Sequence, residues 1–128
     1  MRKILFRAKK TENKEWIEGS YIESVVKASP FGYITSSYPT EPTQIYTVTL
    51  GEFTGLYDKN SNKIFEGDIV KTDKFNEPNK QYIIKYDLQF GTFIGQDKHN
   101  MYFVTFDGDS DQFEIIGNIH DNPELLND

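Results

Sequence analysis

The chain has 128 residues, carries fourteen Lys or Arg against twenty Asp or Glu for a net charge of −6, and contains no cysteine. That length suits one domain, or two small lobes, burying roughly 65% of the unfolded surface without covalent staples, and the absence of cysteine excludes disulfides, thiolate metal sites and cysteine nucleophiles. Residues 1–50 hold seven bases against five acids, residues 51–128 hold seven against fifteen, and no Lys or Arg occurs from Asp107 to Asp128; a solvated acidic rim, facing cationic protein surface or a metal ion rather than phosphate, is expected there.

In chain order, Lys3–Ala8 reads as a strand, Lys9–Glu15 as a polar turn built on Asn13, and Trp16–Ile22 as a second strand, together an N-terminal β-hairpin. Gly19 inside that strand marks a bulge or a close backbone approach, and Trp16 is expected over one end of the core. Ala28–Thr43 holds Pro30, Pro39 and Pro42 and reads as a long excursion enclosing one short strand, Phe31–Thr35. Gln44–Leu50 resumes β character, with Ile45, Thr47 and Thr49 on one face and Tyr46, Val48 and Leu50 on the other, both faces partly buried.

The central block Thr54–Val70 writes short apolar runs around two turn signals, Asp58–Lys63 and Glu66-Gly67-Asp68. Beyond it, Gln81–Asp87, Thr92–Gly95, Met101–Phe106 and Gln112–Ile116 read as strands spaced about ten residues apart, the signature of a small barrel or sandwich. At the end, Asp121 or Asn122 can cap, Pro123 suits the first helical position, and Glu124-Leu125-Leu126 completes a short C-terminal helical turn. Ten Phe and eight Tyr predict an aromatic and β-branched core. Only three apolar residues in a row follow the basic N-terminus, fewer than a signal peptide needs, and no run approaches the ~18 residues of a membrane span. A soluble cytoplasmic protein is the expectation.

The constellations that could carry chemistry are weak. Asp107-Gly108-Asp109-Ser110-Asp111 begins like a calcium loop, but Gln112 stands where the turn needs glycine and Asn118 where it needs a bidentate Glu. An acidic hairpin tip between two strands is the simpler reading, with a weak divalent-cation site as the alternative. Asp58–Asn62 fails likewise, with Lys63 at the glycine position, and reads as a turn. His99 and His120 lie too far apart for a helical zinc motif. There is no phosphate loop before a helix and no Gly-x-Ser-x-Gly elbow. No catalytic, cofactor-binding or metal residue is assigned, and the protein is read as not an enzyme. Arg2, Lys3, Arg7, Lys9, Lys10 and Lys14 form one basic cluster, yet the acidic charge of the whole chain disfavours nucleic acid.

Phe6-Arg7-Ala8, Trp16–Tyr21, Phe53–Asn60, Ile64–Val70 and the closing Glu114–Leu126, in that order, resemble the YopX family of phage and prophage proteins over nearly the whole chain. The resemblance implies a small, mostly β protein with no established biochemical activity, and it transfers no catalytic residue. In physical terms Gly55, Gly67 and Gly117 supply backbone freedom and Leu56, Ile69 and Leu125 burial. Ala28–Thr43 departs from the family pattern, and a surface specific to one partner is expected there.

The sequence therefore predicts a mainly β fold, α+β being the alternative, as a single unit over 1–128 or as an N-terminal lobe 1–50 and a lobe 51–128 forming a small SH3-like barrel. The expected function is a non-enzymatic phage or prophage accessory protein acting by protein–protein binding in the bacterial cytoplasm. Its partner would be itself, as a homo-oligomer, or a host or phage protein. The alternative is a nucleic-acid-binding module in phage DNA metabolism.

Overall fold

The computed structural model describes residues 3–26, 28–36, 41–74, 80–99 and 101–127. The fold is mainly β, two antiparallel sheets with no α-helix among the described residues. The chain divides into two compact units, Met1–Phe53 and Thr54–Asp128.

In the first unit, β1 (Phe6–Lys10) and β2 (Trp16–Ile22) form the expected hairpin, pairing Phe6 with Gly19 and Lys9 with Trp16. The Asn13 side chain closes its turn by accepting the Glu15 amide at 2.9 Å. Next come β3 (Phe31–Thr35) and β4 (Thr43–Tyr57), far longer than the predicted Gln44–Leu50. β1 pairs with β2, β2 with β3, β3 with β4, and β4 again with β1, so the pairings close a ring. Ala8, Ile34 and Ile45 are fully buried at its centre, with Phe6, Ile17, Tyr21 and Leu50 packed around them.

A bulge explains why β4 breaks simple alternation. Arg7 faces Gly51 while Lys9 faces Tyr46, which leaves four β4 residues opposite Ala8 alone. Thr49 bridges the gap, its hydroxyl accepting the Lys9 amide at 2.8 Å and donating to the Tyr46 carbonyl at 2.7 Å. Val48, expected on a partly buried face, is thereby pushed into solvent and is 80% exposed. Gly19 marks the close approach read from sequence: a Cβ there would sit 2.3 Å from the Thr35 carbonyl oxygen. Trp16 does not cap the core. It lies half-buried, with Arg7 Cζ 4.6 Å and Lys9 Nζ 5.4 Å from its ring centroid.

In the second unit, β5 (Lys63–Phe65) pairs with β4, and Thr54 Oγ1 donates to the Ile64 carbonyl at 2.8 Å. β6 (Asp68–Thr72), β7 (Lys80–Asp87), β8 (Thr92–Gln96) and β9 (Phe103–Thr105) follow as a meander, and β10 (Glu114–Asn118) returns beside β6. The sheet order is β10-β6-β7-β8-β9. Its described pairings make an open sheet with β9 and β10 as edges, and the closure of an SH3-like barrel goes beyond them. Ile64, Val70, Tyr82, Ile84 and Phe113 form the core. Phe113 meets Tyr82 at 6.4 Å and Phe106 at 5.0 Å between ring centroids, both edge to face, a favoured aromatic geometry.

Several local expectations are corrected. Asp107–Asp111 is no hairpin tip, because β9 pairs with β8 and β10 with β6; a 3-10 turn at Ser110–Gln112 joins them, and Gln112 belongs to it rather than to a strand. The predicted strand Met101–Phe106 shrinks to Phe103–Thr105. A 3-10 turn, Pro123–Leu126, does end the chain behind Asn122, but the Asn122 side chain does not cap it. That side chain turns back, and its Oδ1 accepts the Asn118 amide at 3.2 Å. Gly117 serves this close approach and not backbone freedom: a Cβ there would lie 2.5 Å from Asn122 Oδ1 and would displace that side chain from its bond to Asn118. Leu56 and Leu125 are half-buried, whereas Ile69 is 1% exposed.

Candidate binding surface

Asp58–Asn62 is the turn the sequence implies. Asp58 is 3% exposed, and its Oδ1 accepts the amides of Asn60 and Asn62, both at 2.9 Å. In the acidic segment Asp109 pairs with Lys74 and accepts the Asp107 amide at 3.1 Å. Among the described residues no three of His, Cys, Asp and Glu converge as metal ligands. His99 is exposed in a turn beside Lys98, and His120, half-buried, donates its amide to Asn118 Oδ1 at 3.0 Å. Of the basic cluster, Arg7 and Lys9 gather on Trp16. Arg2 lies outside the described residues, as does part of the predicted recognition loop, residues 37–40. No helix among the described residues is long and apolar enough to cross a membrane.

What the second unit does expose is a group of large apolar side chains in the β7–β8 turn, the β8–β9 loop and β9. The turn between β7 and β8 is built by Asp87, whose Oδ1 accepts the Gln89 amide at 2.7 Å and the Phe90 amide at 3.1 Å, while its carbonyl accepts the Gly91 amide at 2.8 Å. Gly91 takes a φ of +65°, which glycine adopts without strain. Held in this way, Leu88 stands 89% exposed and Phe90 54% exposed. Phe90 stacks on Phe103 of β9 at 5.3 Å between centroids, and Tyr86 packs edge to face on Phe93 at 5.1 Å.

A second carboxylate shapes the β8–β9 loop. Asp97 is almost fully buried in the fold, and its Oδ1 accepts the amides of Met101 (2.8 Å) and Tyr102 (3.0 Å) and a longer bond from Gln96 Nε2 (3.4 Å). The Tyr102 amide is the chief cause holding the Asp97 carboxyl below its ordinary 3.8; burial opposes it, and Met101, Gln96 and the charge of Lys80 assist. This capture takes Met101 and Tyr102 out of the ladder and shortens β9. Both are left exposed, with Lys80 Nζ 5.8 Å from the Tyr102 ring.

Turn-building carboxylates thus present Leu88, Phe90, Met101, Tyr102 and Phe103 to solvent. Exposed aromatic groups on rigid turns are poor for solubility and good as interface anchors. Sequence reading missed this surface, because Phe90 in the β7–β8 turn and Phe103 on β9 lie thirteen positions apart. The usable signal was Leu88-Gln89-Phe90 placed inside an Asp-to-Gly turn, where polar residues are the rule.

A family model described as YopX protein matches residues 5–127. Among solved structures, the crystal structure of protein EF1440 from Enterococcus faecalis is similar: 27% identical, with 98% of this chain and 99% of that chain covered, and a TM-score of 0.62. No curated protein matches the chain.

Proposed function

Since the chain belongs to the YopX family, we propose that it is a non-enzymatic accessory protein of phage or prophage origin that acts by protein–protein binding in the bacterial cytoplasm. The observation that carries this reading is the Asp87 turn, which holds Leu88 and Phe90 out of the sheet, with Phe90 against Phe103. A preorganised apolar patch loses little conformational entropy on docking. Its central members are aromatic, the type that most often anchors protein interfaces. Affinity capture of the tagged chain from its bacterial host, with and without nuclease, tests it. A protein that co-purifies after nuclease treatment, and is lost with Leu88→Ser together with Phe90→Ser, is the expected result. Capture that the double substitution leaves intact would refute the patch.

A second reading, nucleic-acid binding, draws on one observation: Arg7 and Lys9 stand over Trp16 in the β1–β2 hairpin, an arrangement of cations and a ring that single strands use. Against it, both cations occupy the ring they would have to leave for a base. Binding that weakens with salt and disappears in Lys9→Glu with Lys10→Glu would favour it over the first reading.

A further inference from the structure

The two edges of the second unit's sheet are treated differently. On the β10 side, the Ile115 amide is taken by Asp58 Oδ2 at 3.0 Å and the Phe113 carbonyl by the Lys59 amide at 2.9 Å, so turn 58–62 covers that edge. On the other side β9 is bonded to β8 and, among the described residues, has no second neighbour in the sheet order. The Asp97 amide donates to the Tyr102 carbonyl at 3.0 Å, and the register then sets Gln96 opposite Phe103 and Gly95 opposite Val104. Hydrogen-bonded pairs in an antiparallel ladder recur at every second residue. Val104 therefore bonds toward β8, and the amides and carbonyls of Phe103 and Thr105 point away from the sheet.

Exposed edges are normally guarded by shortness, charge, proline or a bulge. β9 has only the first of these, being three residues long. Met101-Tyr102-Phe103-Val104-Thr105-Phe106 is six residues without a charge, in a chain of net −6. Of the charges near it, Lys80 lies against Tyr102 and Lys98 is exposed just before it, beside the buried carboxylate of Asp97, whereas the far end holds the exposed Asp107 together with Asp109, which pairs with Lys74.

We propose that β9 is a self-pairing edge, and that two copies of this chain dimerise by antiparallel β9–β9 addition about a twofold axis at Val104. Phe103 then faces Thr105 of the second copy, and the outward amides and carbonyls of these two residues form four main-chain hydrogen bonds across the axis. Tyr102 faces Phe106 of the second copy. The antiparallel sense brings the basic end of each strand to the acidic end of the other, so Lys80 and Lys98 of one copy approach Asp107 of the other. This pairing offsets the repulsion between two acidic chains at the place where they meet. Parallel pairing would set like ends together. The inference rests on the protein-binding reading and names one partner for it, a second copy.

Sedimentation equilibrium of the full chain from micromolar to near-millimolar concentration tests the proposal. The wild type is expected as a dimer. Thr105→Pro removes an outward amide at an edge position where proline is tolerated, leaving the β8 ladder intact, and should weaken the dimer at least about tenfold. If Thr105→Pro does not fold, Phe103→Lys with Thr105→Lys decides, since it sets like charges opposite one another twice across the axis with no backbone change. A wild type that stays monomeric throughout, or an assembly that the folded variants leave unchanged, overturns the proposal. A monomer that still captures a nuclease-resistant host protein sinks self-pairing and spares the binding reading. A dimer that captures nothing supports self-pairing while removing the host partner.

Discussion

Asp58 and Ile115, fifty-seven positions apart, are joined by a 3.0 Å hydrogen bond from the Ile115 amide to Asp58 Oδ2, while the other oxygen of the same carboxylate holds the amides of Asn60 and Asn62. One buried side chain thus closes a local turn and anchors the last strand. Asp58→Ala would strip three amides of their acceptor, including one on a strand edge. A loss of about 3 kcal/mol is expected by urea unfolding, because buried donors left unsatisfied cost ~1–3 kcal/mol each. Asp58→Asn, which retains one oxygen, should lose about half of that. Equal stability of Asp58→Ala and wild type would show that the bond does not hold β10.

Gly19 and Gly55 separate two reasons for glycine. A Cβ on Gly19 collides with backbone, 2.3 Å from the Thr35 oxygen, which cannot swing aside as a side chain can. Gly19→Ala should cost about 2–3 kcal/mol, the scale of overpacking. Gly55 has a φ of +85° with nothing near its missing Cβ, so Gly55→Ala should cost only ~1–2 kcal/mol of left-handed strain. Thermal unfolding of both variants checks the order.

The Asp97 carboxyl titrates below its ordinary value in the folded protein, first because the Tyr102 amide binds its charged form. A depressed carboxyl contributes stability that is present above its unfolded pKa and lost as pH falls through the folded one. Wild type should therefore exceed Asp97→Asn in unfolding free energy at neutral pH, and the gap should narrow once pH drops below about 4. A gap independent of pH from 7 to 2 would mean that the charge of Asp97 is not what orders the loop.

Leu88 is 89% exposed, so Leu88→Ser should change stability by no more than about 0.5 kcal/mol. Partner capture should fall nonetheless. Phe113→Ala is the contrast, with a cost of about 3–5 kcal/mol from the cavity left in the core. Denaturant midpoints beside capture yields separate a binding role from a structural one.

Wherever turn chemistry and side-chain alternation act within a few residues, the sequence was legible. Asn13, Asp58 and the Glu66-Gly67 turn stand where they were read, because an Asn or Asp side chain bonds backbone amides within four residues of it, after it for Asn13 and Asp58 and before it for Asp68. β2 and β3 match their predicted bounds, since β-branched and aromatic runs flanked by turn formers have few other uses. The mainly β class and the family resemblance follow from the same local phrases. The site was less legible: Leu88 and Phe90 were in plain view, but not their placement beside Phe103.

What the sequence determined by itself is the mainly β class and the place of most strands and turns, all short-range properties of the chain. Tertiary structure alone decided the rest. It closed β1 through β4 into a ring, made Thr49 a bridge across a bulge, gave Asp58 a strand to hold, and left β9 at the end of the described sheet order. Each depends on which strand lies beside which. That choice is made by burying Ala8 with Ile45 in one unit and Ile64 with Phe113 in the other, contacts between residues tens of positions apart that no local propensity encodes.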